Sequence, residues 1–421
     1  MEKLLVHGGS RLNGTVAISG SKNSSLPIMA ASLLTRERCV IRRVPDLSDT
    51  NYMVRILATL GANIERASGN VIINAEKISS QAPYDLVRKM RASVCVLGPL
   101  VGRLRSAVVS LPGGCVSGDR PIDLHLRGLE ALGATVEVKG GDVSVCAADG
   151  LRGAEINMRG KHGSTVLGTG NVMMAAVLAK GQTIIEGAAA EPEVVDLATF
   201  LNAMGARIVG AGTRTIVIEG VDELGGAEHV VIPDRIEAGT FLIAGALVGD
   251  DVTLENVCSA HLRELIAFLK QSGHPVNELD GDRIHISAGV ELRGNDLVTG
   301  PYPEFATDMQ AQICALCATT PGISVVTEAI FPQRFMHVPE LNRMGANIRM
   351  EDATAIIRGV DKLSAAPVMA SDLRASAALV IAGLGAEGTT EVNRLYHIDR
   401  GYENIDDKLR RIGARVDRVK Q

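Results

Sequence analysis

Aromatic residues are nearly missing from this sequence. Its 421 residues include no Trp, 5 Tyr and 6 Phe, 3% in all. That disfavours a sandwich built around a buried Trp. It also disfavours a nucleic-acid platform that stacks bases on rings. Positive charge is not in excess either. A formal net charge of -5 argues against a broad basic surface for nucleic acid or membrane. Any anion site must therefore be local. No apolar run approaches the ~20 residues of a membrane helix. The start, Met1 to His7, lacks a signal-peptide pattern. The seven cysteines (39, 95, 115, 146, 258, 314, 317) are odd in number and scattered, as expected of reduced thiols in a cytoplasm. Cys314 and Cys317 have no second pair to complete a zinc site, so they read as core positions of an apolar helix. Neither a P-loop nor a strand-linked G-x-G-x-x-G is present. His162 and His397 stand without metal spacing.

What remains is rich in small and aliphatic residues. Hydrophobic residues make up 46%, and Gly alone numbers 45. The length predicts two to three domains of about 150 residues. Self-comparison shows a repeat. Leu57-Ala-Thr-Leu-Gly61, Leu129-Glu-Ala-Leu-Gly133 and Leu201-Asn-Ala-Met-Gly205 share one pattern with three later segments. These are Leu269-Lys-Gln-Ser-Gly273, Leu341-Asn-Arg-Met-Gly345 and Leu409-Arg-Arg-Ile-Gly413. The six glycines are 72, 72, 68, 72 and 68 residues apart. Three residues after each stands a β-branched residue: Ile64, Val136, Ile208, Val276, Ile348 and Val416.

The pattern has a physical reading. Met53, Ile56, Leu57 and Leu60 form one apolar face of a helix, as do Leu197, Phe200, Leu201 and Met204. Gly at the next position suits the left-handed end of a helix, and the β-branched residue then opens a strand. Each unit also holds a second helix that is apolar on nearly all sides and therefore buried. The six segments are 25–34, 92–101, 172–179, 238–248, 309–317 and 375–386. A β-rich segment follows each, for example Val40-Ile41 and Thr183-Ile184-Ile185. The expectation is an α/β protein of six units of about 70 residues with sheets covering buried helices. Repetition alone leaves 2+2+2 and 3+3 groupings open.

Irregular segments inserted in a regular repeat are where function is expected. Leu111-Pro-Gly-Gly-Cys-Val-Ser-Gly-Asp-Arg120 places the Cys115 thiol and the Arg120 cation in a glycine-rich loop. A thiol near cations is a better nucleophile or acid; the alternative is a tight turn with an incidental Cys. Ser19 to Ser25 puts Lys22 and Asn23 at a helix start suited to an anion, or simply capped by Ser. Asp308 opens the fifth buried helix as an N-cap or as a desolvated general base. Asp234 and Asp372 hold similar places in the fourth and sixth units. Arg400, in Tyr396-His-Ile-Asp-Arg-Gly-Tyr402, is expected in a loop placed like that of Cys115. Arg88, Lys89 and Arg91 precede the second buried helix. A face collecting Lys22, Arg91, Arg120, Arg374 and Arg400 suits a small, multiply anionic ligand.

These motifs, with Thr307-Asp308-Met309-Gln310, Arg334-Phe-Met-His337 and Asp372-Leu-Arg374-Ala-Ser, resemble the bacterial UDP-N-acetylglucosamine enolpyruvyl transferases over the whole chain. The resemblance implies an inside-out α/β barrel of two domains with three repeats each. Residues 1–21 and 230–421 would form a catalytic domain carrying Asp308, Arg374 and Arg400; 22–229 would carry Lys22 and the Cys115 loop. It implies transfer of the enolpyruvyl group of phosphoenolpyruvate to the 3-hydroxyl of UDP-N-acetylglucosamine through a tetrahedral ketal. No metal or redox cofactor is implied. Asp308 matches the base for the sugar hydroxyl. Cys115 matches the thiol linked to proton donation, to a phosphoenolpyruvate adduct and to alkylation by fosfomycin. Lys22, Arg120 and Arg400 match the phosphoenolpyruvate clamp, with Arg91 and Arg374 nearby. Asn23, the run Arg120, Pro121, Ile122, Asp123 and Leu124, and Ile330 match nucleotide-sugar contacts. Departures fall at Ala190, where Arg is frequent, and in the 161–166 segment. The rivals are a 5-enolpyruvylshikimate-3-phosphate synthase-like enzyme and a paralogue that binds nucleotide sugar without turnover.

Overall fold

The computed structural model describes residues 2–82, 84–87, 90–111, 122–161 and 163–420. These fall into two compact units: Met1–Ser19 with Pro233–Gln421, and the chain between Gly20 and Ile232. Each unit has its own apolar core; among the described residues the first holds three sheets, and the second holds three larger sheets and a two-stranded one, Arg159–Gly160 with Gly163–Ser164.

All six repeat glycines sit at positive φ, from +90° at Gly345 to +108° at Gly61. Each ends an amphipathic helix: Ser48–Thr59, Asp123–Ala131, Pro192–Ala203, Arg263–Gln271, Val338–Arg343 and Ile405–Arg411. Each β-branched residue three positions on lies in the strand that follows. The left-handed turn is thus the physical reason for the glycine periodicity.

The buried helices are Lys22–Ala31, Leu97–Leu104 and Val166–Ala176 in one unit. In the other they are Arg235–Val248, Gln310–Cys317 and Leu373–Gly385, which pack on one another and on their own sheets. From Ser24 to Ala31 every residue of the first helix is buried. Small residues permit this closeness. A Cβ on Gly98 would meet the Asn171 carbonyl oxygen at 2.2 Å. Helices inside and sheets outside is the inside-out arrangement. Among the described residues every sheet stays open, so no strand ladder closes into a barrel.

The five four-stranded sheets share one plan. A central strand pairs in parallel with an edge strand and antiparallel with a hairpin, as in Leu297–Val298, Ile323–Thr327, Thr354–Arg358 and Asn347–Glu351. Two edge strands are exchanged where the chain crosses between units. Leu12–Ala17 precedes helix Lys22–Ala31 but pairs with Gly249–Glu255. Glu228–Val230 precedes helix Arg235–Val248 but pairs with Arg38–Arg42. In the sixth sheet Glu2–His7 takes the hairpin position, between Thr389–Asn393 and Arg415–Lys420.

Three expectations change. The second buried helix is not continuous: a 3-10 stretch, Arg91–Val96, precedes Leu97–Leu104. Pro99 has no N–H to give the Cys95 carbonyl, so α-helix begins only two residues before it. Asn171 bridges the junction, accepting from Gly98 N at 2.9 Å and donating to Val94 O at 2.8 Å. Arg400 ends a 3-10 helix, Leu395–Arg400, rather than standing in a loop. Asp308 is not an N-cap. It sits within the 3-10 turn Thr307–Met309, and its carboxylate turns to two guanidiniums, charged donors stronger than neutral cap amides. Asp234 and Asp372 do cap their helices. Among the described residues no helix is long and apolar enough to cross a membrane.

Candidate active site

In the unit built on Pro233–Gln421, Asp308 is the centre of a charge cluster. Arg334 Nη1 donates to its Oδ1 at 2.7 Å. Arg374 donates to Oδ2 through Nε at 3.2 Å and Nη2 at 2.7 Å. The Asp308 side chain is 26% exposed; Arg334 and Arg374 are 9% and 5%. Burial pushes the Asp308 pKa up, but the charges of Arg374 and Arg334 outweigh it and hold the carboxyl well below the usual carboxylate range. The Asp308–Arg374 pair follows from local sequence: Asp372 caps the helix at Arg374 N, 2.7 Å, and so fixes where Arg374 leaves the backbone.

Glu328 sets the neighbouring loop. Its Oε1 accepts from Thr299 Oγ1 and from the amides of Ile330 and Phe331, all within 2.9 Å. Its Oε2 accepts from Thr307 Oγ1 at 2.8 Å. One buried carboxylate thus ties Ile330 to the turn that carries Asp308. Arg400 lies close enough to His397 to lower its pKa, after the larger effect of burial, while Asp372 opposes this. His337 is buried, and its pKa falls to about 4.

In the unit between Gly20 and Ile232, Lys22 opens its buried helix and Ser21 caps it, accepting from Ser24 N. Lys22 Nζ lies 3.3 Å from Asp49 Oδ2; their side chains are 12% and 3% exposed. Asn23 is half-buried. Arg91 begins the 3-10 stretch and lies near His125, whose pKa falls to about 4 through burial and then the Arg91 charge. Ile122, Asp123 and Leu124 open the helix that carries His125. Cys115, Arg120 and Pro121 lie outside the described residues, as do Arg88, Lys89 and His162.

The structure therefore joins Asp308 and Arg374 directly, and links Ile330 to them through Glu328. Arg334, Glu328 and Asp49 carry roles that sequence reasoning did not assign. Arg334 stands in the Arg334-Phe-Met-His337 segment, yet only the fold shows its partner. Among the described residues no group of three or more His, Cys, Asp or Glu is placed to hold a metal ion.

Comparison with known proteins points one way. The family model described as EPSP synthase (3-phosphoshikimate 1-carboxyvinyltransferase) matches residues 6–409. A UDP-N-acetylglucosamine 1-carboxyvinyltransferase of Akkermansia muciniphila is 62% identical, covering 100% of this chain and 99% of that protein. One of the same name from Methylacidiphilum infernorum is 57% identical with the same coverage. The chain belongs to the UDP-N-acetylglucosamine 1-carboxyvinyltransferase family. The fold is shared more widely. The enolpyruvyl transferase NikO from Streptomyces tendae superposes with a TM-score of 0.89 at 24% identity, covering 100% of this chain and 99% of that one. EPSP synthase from Acinetobacter baumannii gives 0.79 at 18%, with full coverage of both chains.

Proposed function

We propose that this chain transfers the enolpyruvyl group of phosphoenolpyruvate to the 3-hydroxyl of UDP-N-acetylglucosamine, releasing phosphate, at the start of peptidoglycan precursor synthesis. The observation that carries this is full-length identity of 62% to a transferase of that name. Both substrates are anionic, which gives the local cations a purpose in a chain of net charge -5.

The reaction is an addition followed by an elimination. The sugar 3-oxygen bonds to C2 of phosphoenolpyruvate as its proton passes to Asp308, and C3 gains a proton. The ketal then loses a proton from C3 and phosphate from C2. Asp308 is ionised and held in place by Arg334 and Arg374, and it can take the proton as it turns from them to the sugar hydroxyl. Lys22, Arg120 and Arg400 are the residues assigned to phosphoenolpyruvate, with Arg91 and Arg374 as further cations for it. Asn23, Arg120 to Leu124 and Ile330 contact the nucleotide sugar. Cys115 is the thiol for proton donation and for fosfomycin. Of the six described thiols, Cys39, Cys95, Cys314 and Cys317 are buried, and burial pushes their pKa values up, to about 12 for Cys95. That makes them poor competitors for an electrophile.

Phosphate release tests the assignment. Purified protein is expected to release phosphate from phosphoenolpyruvate only when UDP-N-acetylglucosamine is present. Release with shikimate 3-phosphate instead would transfer the assignment to the synthase-like rival. No release with either acceptor would favour a binding paralogue.

A further inference from the structure

In a chain nearly without aromatics, Tyr402, 1% exposed, is the largest fully buried side chain among the described residues. Its surroundings are polar. The Thr240 hydroxyl donates to Ile236 O at 2.8 Å, so its single proton is committed. Tyr402 OH must then donate to Thr240 Oγ1, 2.9 Å away. This leaves the phenolic oxygen to accept from Gln312 Nε2 at 3.2 Å. The same amide nitrogen donates to the backbone carbonyl of Asp308 at 3.1 Å. Tyr402 is therefore pinned at its hydroxyl, and Gln312 ties that pin to the residue carrying the central carboxylate. Above the ring lies Arg374, its guanidinium carbon 5.5 Å from the centroid. This is a cation over an aromatic face in a desolvated setting.

We propose that Tyr402 is a positioning residue: its anchored ring holds the Arg374 guanidinium in line with Asp308 and with the anionic substrate. The substrate half rests on the function proposed above; the Asp308 half does not. When Asp308 turns to a sugar hydroxyl, Arg374 loses part of its carboxylate support. A fixed ring beneath it then keeps the cation in place. Arg334 and Arg374 face Asp308, and the charge of Asp234 also acts on Arg374 and Tyr402.

Two measurements on the full chain test this. The first follows the Asp308 carboxyl by carbon-13 NMR titration without substrates. In Tyr402→Leu the midpoint is expected to rise toward the ordinary carboxylate range, with a smaller rise in Tyr402→Phe. The second is steady-state phosphate release. Tyr402→Phe is expected to lower kcat about fivefold, because the ring stays beneath Arg374 but loses its hydroxyl anchor. Tyr402→Leu is expected to lower it about thirtyfold, the worth of a desolvated cation over a ring. KM for UDP-N-acetylglucosamine stays within about twofold in both, because binding of the sugar does not need the ring. Phe268→Leu, a core change elsewhere in the same unit, is expected to lower stability without moving the Asp308 midpoint. An unmoved midpoint in folded Tyr402→Leu overturns the proposal. If that variant does not fold, an unmoved midpoint in Tyr402→Phe overturns it. Wild-type protein without turnover defeats the proposed function, yet leaves the titration to decide the role of Tyr402.

Discussion

Asp308 shows how one residue takes its chemistry from its neighbours. Alone in its half-buried place, it would be a weak acid with a raised pKa. Between two guanidiniums it is an ionised acceptor. Its folded pKa lies below the unfolded value of about 3.9. Its charge pairing therefore contributes stability fully above that pH, and the contribution is lost as pH falls through the folded value. Removing the charge should affect chemistry more than binding. Asp308→Asn is expected to lower kcat by about 10²- to 10⁴-fold, the usual weight of a general base. The affinity for UDP-N-acetylglucosamine, read by calorimetry, is expected to change little. A near-normal rate would remove Asp308 from the base role.

At the scale of elements, much was legible because it recurs. A helix with one apolar face, a glycine and a β-branched residue repeat six times, and each copy proves to be helix, left-handed turn and strand. The buried helices were legible from apolarity on all sides. Their internal irregularities were not. Pro99 breaks the second helix, and the repair comes from Asn171, 72 residues further on. The Asp308 cluster was half legible: the carboxylate and Arg374 stood in motifs, but its second guanidinium, Arg334, lies 26 residues from Asp308 and has no periodic signature. The glycine turns differ in what surrounds them, which gives a graded test. A Cβ at Gly133 meets nothing within 4 Å, whereas at Gly61 it would lie 2.6 Å from the Lys77 carbonyl oxygen. Gly133→Ala is expected to cost about 1 kcal/mol, the strain of a left-handed Ala. Gly61→Ala is expected to cost about 2–3 kcal/mol, because a backbone clash adds to the strain. Urea unfolding of both variants measures this, and equal losses would contradict it.

For the whole molecule, the scarcity of rings now has a cause. Each unit packs three helices inside its sheets, with Gly, Ala, Val, Leu and Met at close approach, and the few rings it buries, such as Phe200, Phe241 and Tyr402, leave little room for more. Stability is also tied to sequence ends: Glu2–His7 completes a sheet whose other strands begin at Pro367. Burial extends to histidines in both units. His125, His274 and His337 have pKa values lowered to about 4, chiefly by burial. The unfolded chain binds protons at these sites from about pH 6.5 downward, and the folded chain does not until about pH 4. Stability is therefore full above about pH 6.5 and falls as pH drops toward 4. The expected loss between pH 7 and 5 is on the order of 1–2 kcal/mol per histidine. Urea midpoints at the two pH values measure it. His274→Phe is expected to remove part of that dependence, and a flat profile in the wild type would contradict the account.

Transfer of an enolpyruvyl group onto a nucleotide sugar leaves a product that can be seen directly. Proton NMR of a mixture of the protein, phosphoenolpyruvate and UDP-N-acetylglucosamine tests it most directly. A new pair of vinyl protons on an ether at the sugar 3-oxygen is expected, formed in equal amount with free phosphate. Unchanged substrates, or vinyl ether formed only when shikimate 3-phosphate is supplied, would contradict it.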